Sequence, residues 1–259
     1  MSTPVRDAST VILVRDGRSG VEVFLQRRVG GMAFAAGMTV FPGGGVDPSD
    51  ATATAGWAGP APSWWAERLS VDVPRGRALV LAAVRETFEE CGVLLAGPTE
   101  STIVSDSTAF SGERRRVEAR DLPFGQFLVD NDLVVRTDLL RPWANWITPE
   151  GEAARRYDTR FFVAVAPEGQ VADDATSEAT DAGWSTAESA LADFRDGRRA
   201  LMPPTWAMLR RLAHHDRVAD VLADAPDLAP VQPVVVTTGE AVRVDFDGAE
   251  QYYADMPSA

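Results

Sequence analysis

Apolar and polar positions follow a strand-like pattern near the beginning of the chain. Residues 10–14 form a short run rich in β-branched side chains, and a second apolar run covers residues 21–27. Gly17 and Gly20 lie between the two runs. Short apolar runs separated by glycine are typical of two strands joined by a turn. The pattern therefore predicts a β-hairpin.

The helix period is clearest over residues 75–91. Four apolar residues in this segment follow one another at spacings of four, four and three. They are Val80, Val84, Phe88 and Cys91. These spacings place the side chains on one stripe of an α-helix. Gly92 follows directly and is suited to ending the helix, because glycine readily adopts the left-handed conformation found at helix C-termini.

The remaining segments alternate between strand-like and helix-like patterns. We expect a buried strand at 93–95, helical structure over 101–128, strands at 143–148 and 160–166, helices at 186–194 and 205–222, and small strands at 231–236 and 241–246. This alternation predicts the α/β class, with a mixed sheet flanked by helices in an α/β/α sandwich. We expect one domain over residues 1–230, an insertion at about 48–74 with a short helix at 63–69, and a C-terminal extension, residues 231–259, packed on the same domain or partly loose.

The composition narrows the class of protein. With 259 residues, 45% hydrophobic and 24% charged, the chain has the balance of a soluble globular protein. Its formal net charge of -13 argues against a nucleic-acid-binding surface, since such surfaces are usually basic. The single cysteine excludes an intrachain disulfide and a zinc site built on thiolates. No apolar run is long enough to span a bilayer. We therefore expect a cytoplasmic protein without nucleic-acid or membrane partners. A homodimer is a further expectation, which the composition does not test.

Three carboxylates share one face of the predicted helix. Glu86, Glu89 and Glu90 stand at positions i, i+3 and i+4, which lie on one side of an α-helix. Like charges this close repel one another, which costs about 0.2–0.5 kcal/mol per pair. Two interpretations remain open from the spacing alone. The face is solvated, as most charge runs are, or it holds a hard divalent cation such as Mg²⁺, which prefers carboxylate oxygens and is completed by water and substrate phosphates.

Residues 85–93 have a more specific sequence. The segment is Arg-Glu-Thr-Phe-Glu-Glu-Cys-Gly-Val, and it resembles the second half of the Nudix box, with Thr87 where a larger aliphatic residue is usual. The Phe-Pro-Gly-Gly segment at residues 41–44 supplies the glycine corner of that box. In the first half of the box, Asp50 stands six residues after Gly44, and 34 residues then separate it from Arg85. The fourth acidic residue of the motif is therefore either Asp50 or absent. The split box resembles the peroxisomal-type coenzyme A diphosphatase branch of the family.

The resemblance implies a Nudix-like α/β/α sandwich and a metal-dependent hydrolase that cleaves a diphosphate linkage in a small molecule. It implies Mg²⁺ or Mn²⁺ as the cofactor. Glu89 and Glu90 are the first expected ligands, and Glu86 is either a ligand or the general base. The carbonyl of Gly44 and a carboxylate from a later loop are expected to complete the metal site. Glu178 is the candidate for that later carboxylate, and Asp181 is its alternative.

Arg85 is expected to act beside the metal site by orienting a carboxylate through a charge-assisted pair. Arg27 and Arg28 precede the glycine corner and are candidates for contacting substrate phosphates. The substrate-binding prediction also includes Phe41 and Gly43, where glycine permits close approach of the backbone.

The sequence is compatible with more than one substrate. Gly37 followed by three residues and Phe-Pro-Gly-Gly resembles the coenzyme A signature, which favours coenzyme A or an acyl-coenzyme A. Ala33 stands where that signature has arginine, so ADP-ribose, NADH or another dinucleotide remains an alternative. From a different class, a non-catalytic module could bind a nucleotide and regulate a partner, since fold does not determine function.

Overall fold

A computed structural model of the chain describes residues 3–29, 37–151, 155–177, 179–238 and 241–257. The strands are β1 Val5–Gly17, β2 Gly20–Arg28, β3 Thr39–Val40, β4 Gly43–Gly45, β5 Gly56–Ala58, β6 Ala96–Gly97, β7 Val134–Arg136, β8 Leu140–Ile147, β9 Arg156–Val165, β10 Ala179–Thr186, β11 Pro230–Val231, β12 Val234–Thr238 and β13 Ala241–Asp245. The α-helices are α1 Pro48–Thr52, α2 Pro62–Leu69, α3 Val73–Cys91, α4 Ser111–Glu118, α5 Phe124–Asp130, α6 Ala187–Arg195, α7 Pro203–Leu212, α8 Val218–Ala223 and α9 Ala249–Asp255. Two 3₁₀ segments cover Ser107–Phe110 and Thr137–Leu139.

The main sheet is mixed and has eight strands in the order β10-β2-β1-β9-β8-β11, with β3 paired to β2 and β4 paired to β1. Strands β1 and β2 form the predicted antiparallel hairpin, closed between Gly17 and Gly20. Strands β1 and β9 run parallel at the centre, while β8 and β9 are antiparallel. The predicted α/β class is confirmed.

Each face of the main sheet is covered by a separate apolar cluster. Alternate residues of β1 point to opposite faces, as the pleat requires: Val11 and Leu13 belong to the cluster around α3, and Ile12 and Val14 belong to the cluster around α6 and α7. Three packed layers result, with α3 on one side of the sheet.

Helix α3 is nearly buried all round, and its ends are well defined. Asp72 caps its first turn by accepting a hydrogen bond from the backbone nitrogen of Arg75. Gly92 ends it with a φ of 73°, a left-handed conformation that favours glycine. The predicted helix is therefore confirmed, and both of its termini are held in place.

The predicted elements at residues 93–95, 101–128 and 205–222 were wrong or incomplete, and the predicted strand at 231–236 is divided between β11 and β12. The predicted strand at residues 93–95 is buried chain without strand structure, because the side chain of Gln170 bonds both the nitrogen and the carbonyl oxygen of Leu94 in place of a neighbouring strand. The predicted helix at 205–222 is two helices, α7 and α8. Asp16 of β1 accepts a hydrogen bond from the backbone nitrogen of Val218 and so stabilises a new helix start there. Residues 101–128 are only partly helical.

The C-terminal extension forms the hairpin of β12 and β13 and then α9. Tyr252 of α9 is buried against Trp206 and Phe194, so this end of the chain packs on the cluster around α6 and α7. Within the described part of the chain, no helix is both long and apolar enough to cross a membrane.

Candidate functional site

The glycine corner lies directly against the carboxylate face of α3. Strand β4 pairs with β1, with Gly44 opposite Ser9. A Cβ atom on Gly44 would lie 2.6 Å from Oε2 of Glu86, and a Cβ on Gly43 would lie 2.5 Å from Oγ1 of Thr10. Only glycine allows the backbone to come this close on both sides. The main chain of the corner and the Glu86 carboxylate therefore line one narrow space.

Arg85 connects four groups around this corner. Its Nε lies 3.1 Å from Oδ1 of Asp50, and its Nη2 lies 3.1 Å from Oδ2 of Asp50 and 2.8 Å from the carbonyl oxygen of Gly45. Its Nη1 donates to Oε1 of Glu86 at 2.7 Å and to Oε1 of Glu89 at 2.8 Å. The two-pronged contact with Asp50 matches the fork geometry of a guanidinium on a carboxylate. The structure thus brings Asp50 to the Arg-Glu pair despite the insertion between them.

The local sequence explains how Asp50 reaches Arg85. Asp50 is the third residue of α1, and its side chain accepts a hydrogen bond from the nitrogen of Asp47, whose own side chain caps the helix. This reciprocal capping box fixes the first turn of α1. Asp50 is only 1% exposed, so its charge is balanced inside the protein rather than by solvent.

Burial and charge act in opposite directions on the pKa values of this pair. Burial raises the pKa of Asp50, and the charge of Arg85 acts against that rise. For Arg85, burial alone would lower the pKa, but the charges of Glu86, Asp50 and Glu89 outweigh it and raise the pKa above its ordinary value. Arg85 is therefore a permanent cation at the centre of the cluster. One guanidinium faces three carboxylates, which leaves an excess of negative charge.

Glu90 is held by different partners. One of its oxygens, Oε2, accepts hydrogen bonds from the backbone nitrogen of Gly43 at 2.7 Å and from the side-chain nitrogen of Gln26. Nη1 of Arg28 lies 3.9 Å from its other oxygen. Glu90 is 2% exposed and Glu86 is 8% exposed. These values exclude the interpretation that the carboxylate face is simply solvated.

The donor set fits a hard divalent cation, which prefers several carboxylate oxygens and is completed by water or phosphate. Among the residues that the structure describes, no three His, Cys, Asp or Glu side chains are already gathered around one point as metal ligands. Instead, Glu86 and Glu89 are directed to Arg85, and Glu90 to Gln26 and the glycine corner. The fit rests on the excess negative charge and on the close approach of the Gly44 backbone to the Glu86 carboxylate, which the missing side chain of glycine allows.

The other predicted site residues lie in different environments. Arg28 shares the α3 face of β2 with Gln26, whereas Arg27 is exposed, since neighbouring residues of a strand point to opposite faces. Phe41, predicted to bind substrate, is 2% exposed and packs in the cluster around α6 and α7 on the far side of the sheet, so its side chain serves packing. Asp181 is exposed on β10. Glu178 lies outside the described residues.

Two features near the site were missed in the sequence. Gln26 stands two positions before Arg28, and strand alternation alone would have placed both on one face. Arg114 of α4 is buried, and its Nε donates to the backbone oxygen of Glu89 at 3.0 Å while its Nη1 contacts Asp173 at 2.7 Å. The basic cluster at 114–116 is visible in the sequence, but nothing in its pattern indicates this contact.

The fold and the arrangement of the carboxylates on α3 beside a glycine corner define a Nudix-type domain. A solved structure described as a NUDIX hydrolase from Alicyclobacillus acidocaldarius is similar to this chain, with a TM-score of 0.71 and 27% identity, over 86% of this chain and 99% of that one. The chain belongs to the family described as the NUDT19 Nudix domain, which matches residues 60–212 and so includes all of α3. Asp50 and the glycine corner precede the matched segment.

Two relatives have names that state an activity. The Xenopus laevis protein named Acyl-coenzyme A diphosphatase NUDT19 is 26% identical over 236 residues, which cover 77% of this chain and 62% of that protein. The Gallus gallus protein of the same name is 28% identical over 286 residues, covering 92% of this chain and 75% of that protein. The chain thus spans less than two thirds of the Xenopus relative.

Proposed function

We propose that this chain is a metal-dependent diphosphatase that hydrolyses the diphosphate linkage of an acyl-coenzyme A or of coenzyme A. The observation that carries the proposal is the set of carboxylates on α3, in which Glu86 and Glu90 are buried and Glu89 is half-buried, packed around Arg85 and the glycine corner. Two relatives named as acyl-coenzyme A diphosphatases support the choice of substrate.

Glu89 and Glu90 are the first proposed ligands for Mg²⁺ or Mn²⁺, with the carbonyl of Gly44 and the carboxylate of Glu178 completing the set. When bound, such cations neutralise charge on a diphosphate and lower the pKa of the attacking water. Glu86 either joins the ligands or accepts the proton of that water, a role that needs hydrogen-bond reach.

Arg85 is the proposed positioning residue of this set. It holds Glu86 and Glu89 through one nitrogen, Nη1, while Asp50 fixes its other side. Because two carboxylates share this nitrogen, their oxygens are kept near one another before a cation arrives. The chain's own residues thereby reduce the cost of ordering the site on metal binding.

Arg28 is the proposed contact for substrate phosphate. Its side chain is 16% exposed and lies on the same face of β2 as Gln26, close to Glu90. A guanidinium here can pair with a phosphate beside the cluster. The backbone of Gly43, which carries no side chain, also permits a phosphate to approach this place. Arg27 is exposed to solvent at the end of the strand. We also propose that the protein is cytoplasmic and forms a homodimer. The molar mass measured by light scattering after gel filtration tests the dimer.

The test is a hydrolysis screen with Mg²⁺ or Mn²⁺ over acyl-coenzyme A, coenzyme A, ADP-ribose and NADH. Glu89→Gln and Glu90→Gln keep side-chain shape and remove charge, so we expect each to lower kcat on the order of 100-fold or more if electrostatic stabilisation of the reaction depends on them. Glu67→Gln on the exposed face of α2 is the control and should retain the wild-type rate. Hydrolysis of ADP-ribose or NADH in preference to both coenzyme A compounds would overturn the substrate assignment, and no hydrolysis of any of the four would overturn the activity.

A further inference from the structure

Gln26 is a buried amide with a fixed backbone beside the carboxylate cluster. It lies in β2 between two neighbouring strands, paired with Ala182 of β10 and with Val40 of β3. Its exposed fraction is 1%. A polar side chain in such a place costs free energy unless its hydrogen bonds are made, and the surrounding strands prevent it from moving into solvent.

The amide meets one particular oxygen of Glu90. The side-chain nitrogen of Gln26 donates to Oε2, which also accepts from the backbone nitrogen of Gly43. The opposite orientation of the amide would place its carbonyl oxygen against the carboxylate, which is repulsive, so the nitrogen must face Glu90. Two neutral donors therefore hold a single carboxylate oxygen in a fixed direction.

The part of the chain that the structure describes supplies no donor to the other end of the same amide. Oε1 of Gln26 is buried and lacks a hydrogen-bond partner among the described residues. Buried acceptors of this kind are usually satisfied by protein or by ordered water. An oxygen fixed beside a carboxylate cluster suits a donor that arrives with the bound ion, such as a water of its hydration shell, since Mg²⁺ keeps several of its waters.

We propose that Gln26 is a positioning residue that presents Glu90 as an oriented, charged ligand for a divalent cation. It acts through Glu90 and does not touch the substrate. Groups in contact with metal ligands fix the orientation of those ligands, and their loss typically weakens metal affinity about 10- to 100-fold. This inference rests on the proposed function, since it assigns Glu90 to the metal site.

The experiment is a titration of the full chain with Mn²⁺ in the absence of substrate, following free Mn²⁺ by electron paramagnetic resonance. Gln26→Met keeps the length of the side chain and removes both hydrogen-bonding groups. We expect it to weaken Mn²⁺ binding about 10- to 100-fold. Glu90→Gln is the positive control for loss of affinity. Circular dichroism melting in EDTA checks that each variant is folded.

Gln170 provides a matched control. It is also a glutamine with a structural role, bonding Leu94 and Val104 away from the carboxylates. Gln170→Met should lower the melting temperature and leave Mn²⁺ affinity at the wild-type value. A role for Gln26 in packing alone would give the same pattern, so the two variants separate positioning from stability.

A second variant covers the case in which Gln26→Met does not fold. Gln26→Asn keeps a buried amide but is one methylene shorter, so its nitrogen is withdrawn from Glu90, and we expect weaker Mn²⁺ binding here too. If the folded Gln26 variants bind Mn²⁺ like the wild type while Glu90→Gln does not, the inference is overturned and the proposed activity is untouched. If the wild type binds Mn²⁺ through Glu90 and Gln26 but hydrolyses no diphosphate, the inference holds and the proposed function fails.

Discussion

Replacing Asp50 by asparagine tests the buried pair with Arg85. The change removes the negative charge that faces Nε and Nη2 of a guanidinium that is 8% exposed. Removing one partner of a buried ion pair typically costs about 3–5 kcal/mol. Arg85 keeps its contacts with Glu86, Glu89 and the oxygen of Gly45, so we expect a loss at the lower end, about 3 kcal/mol.

The loss is measured by urea unfolding followed by tryptophan fluorescence, with EDTA present so that no metal contributes. The control is Asp196→Asn, which removes an exposed partner of Arg198 and should leave the unfolding midpoint unchanged, since exposed pairs contribute little. The slope of the unfolding free energy against urea should be the same for all three proteins. A loss below about 1 kcal/mol for Asp50→Asn would show that the pair does not anchor Arg85 in the way that its burial indicates.

Three further predictions use other parts of the site. Gly44→Ala places a Cβ 2.6 Å from the Glu86 carboxylate, so we expect a loss of about 1–3 kcal/mol in urea unfolding together with weaker Mn²⁺ binding. The control is Gly112→Ala in α4, which has open space at its Cβ; because alanine is the better helix former, this variant should be at least as stable as the wild type and bind Mn²⁺ equally well. Burial raises the pKa of Cys91 to about 12, so a thiol reagent at pH 8 should label it only in denaturant. Since the unfolded thiol ionises at lower pH than the folded one, the free energy of unfolding relative to Cys91→Ala should fall as the pH rises from about 9 towards 12. Labelling of the native protein as fast as the denatured protein would contradict the raised pKa of Cys91. Adding Mn²⁺ to metal-free protein should raise the melting temperature, because a ligand at 100 times its dissociation constant adds about 2.7 kcal/mol to the free energy of unfolding. The same melting temperature with and without Mn²⁺ would count against a metal site.

Local patterns in the sequence were sufficient for the elements that hold the carboxylates. Helix α3 has a strong apolar period, a capping residue and a terminal glycine within one short segment, and the β1/β2 hairpin has its turn glycines between the two strands. In both cases the interactions that decide the structure are close in sequence. The alternation of such elements was therefore enough to predict the α/β sandwich.

Contacts between distant segments could not be predicted in the same way. Asp50 and Arg85 are 35 residues apart, and spacing alone left Asp50 as one of two alternatives. Leu94 looked like part of a strand because it is apolar, but a glutamine 76 residues away replaces the strand partner. Phe41 was assigned to substrate from its motif, although its side chain is buried in the cluster on the opposite side of the sheet.

Product analysis of acyl-coenzyme A hydrolysis by mass spectrometry, with Mn²⁺, compares the wild type with Glu89→Gln and Glu90→Gln. We expect the wild type to cleave the diphosphate into two phosphomonoesters, one carrying the nucleotide and one the acyl group. Both variants should lose this cleavage on the order of 100-fold or more. Intact substrate with the wild type, or equal product from all three proteins, would show that the carboxylates of α3 do not support this reaction.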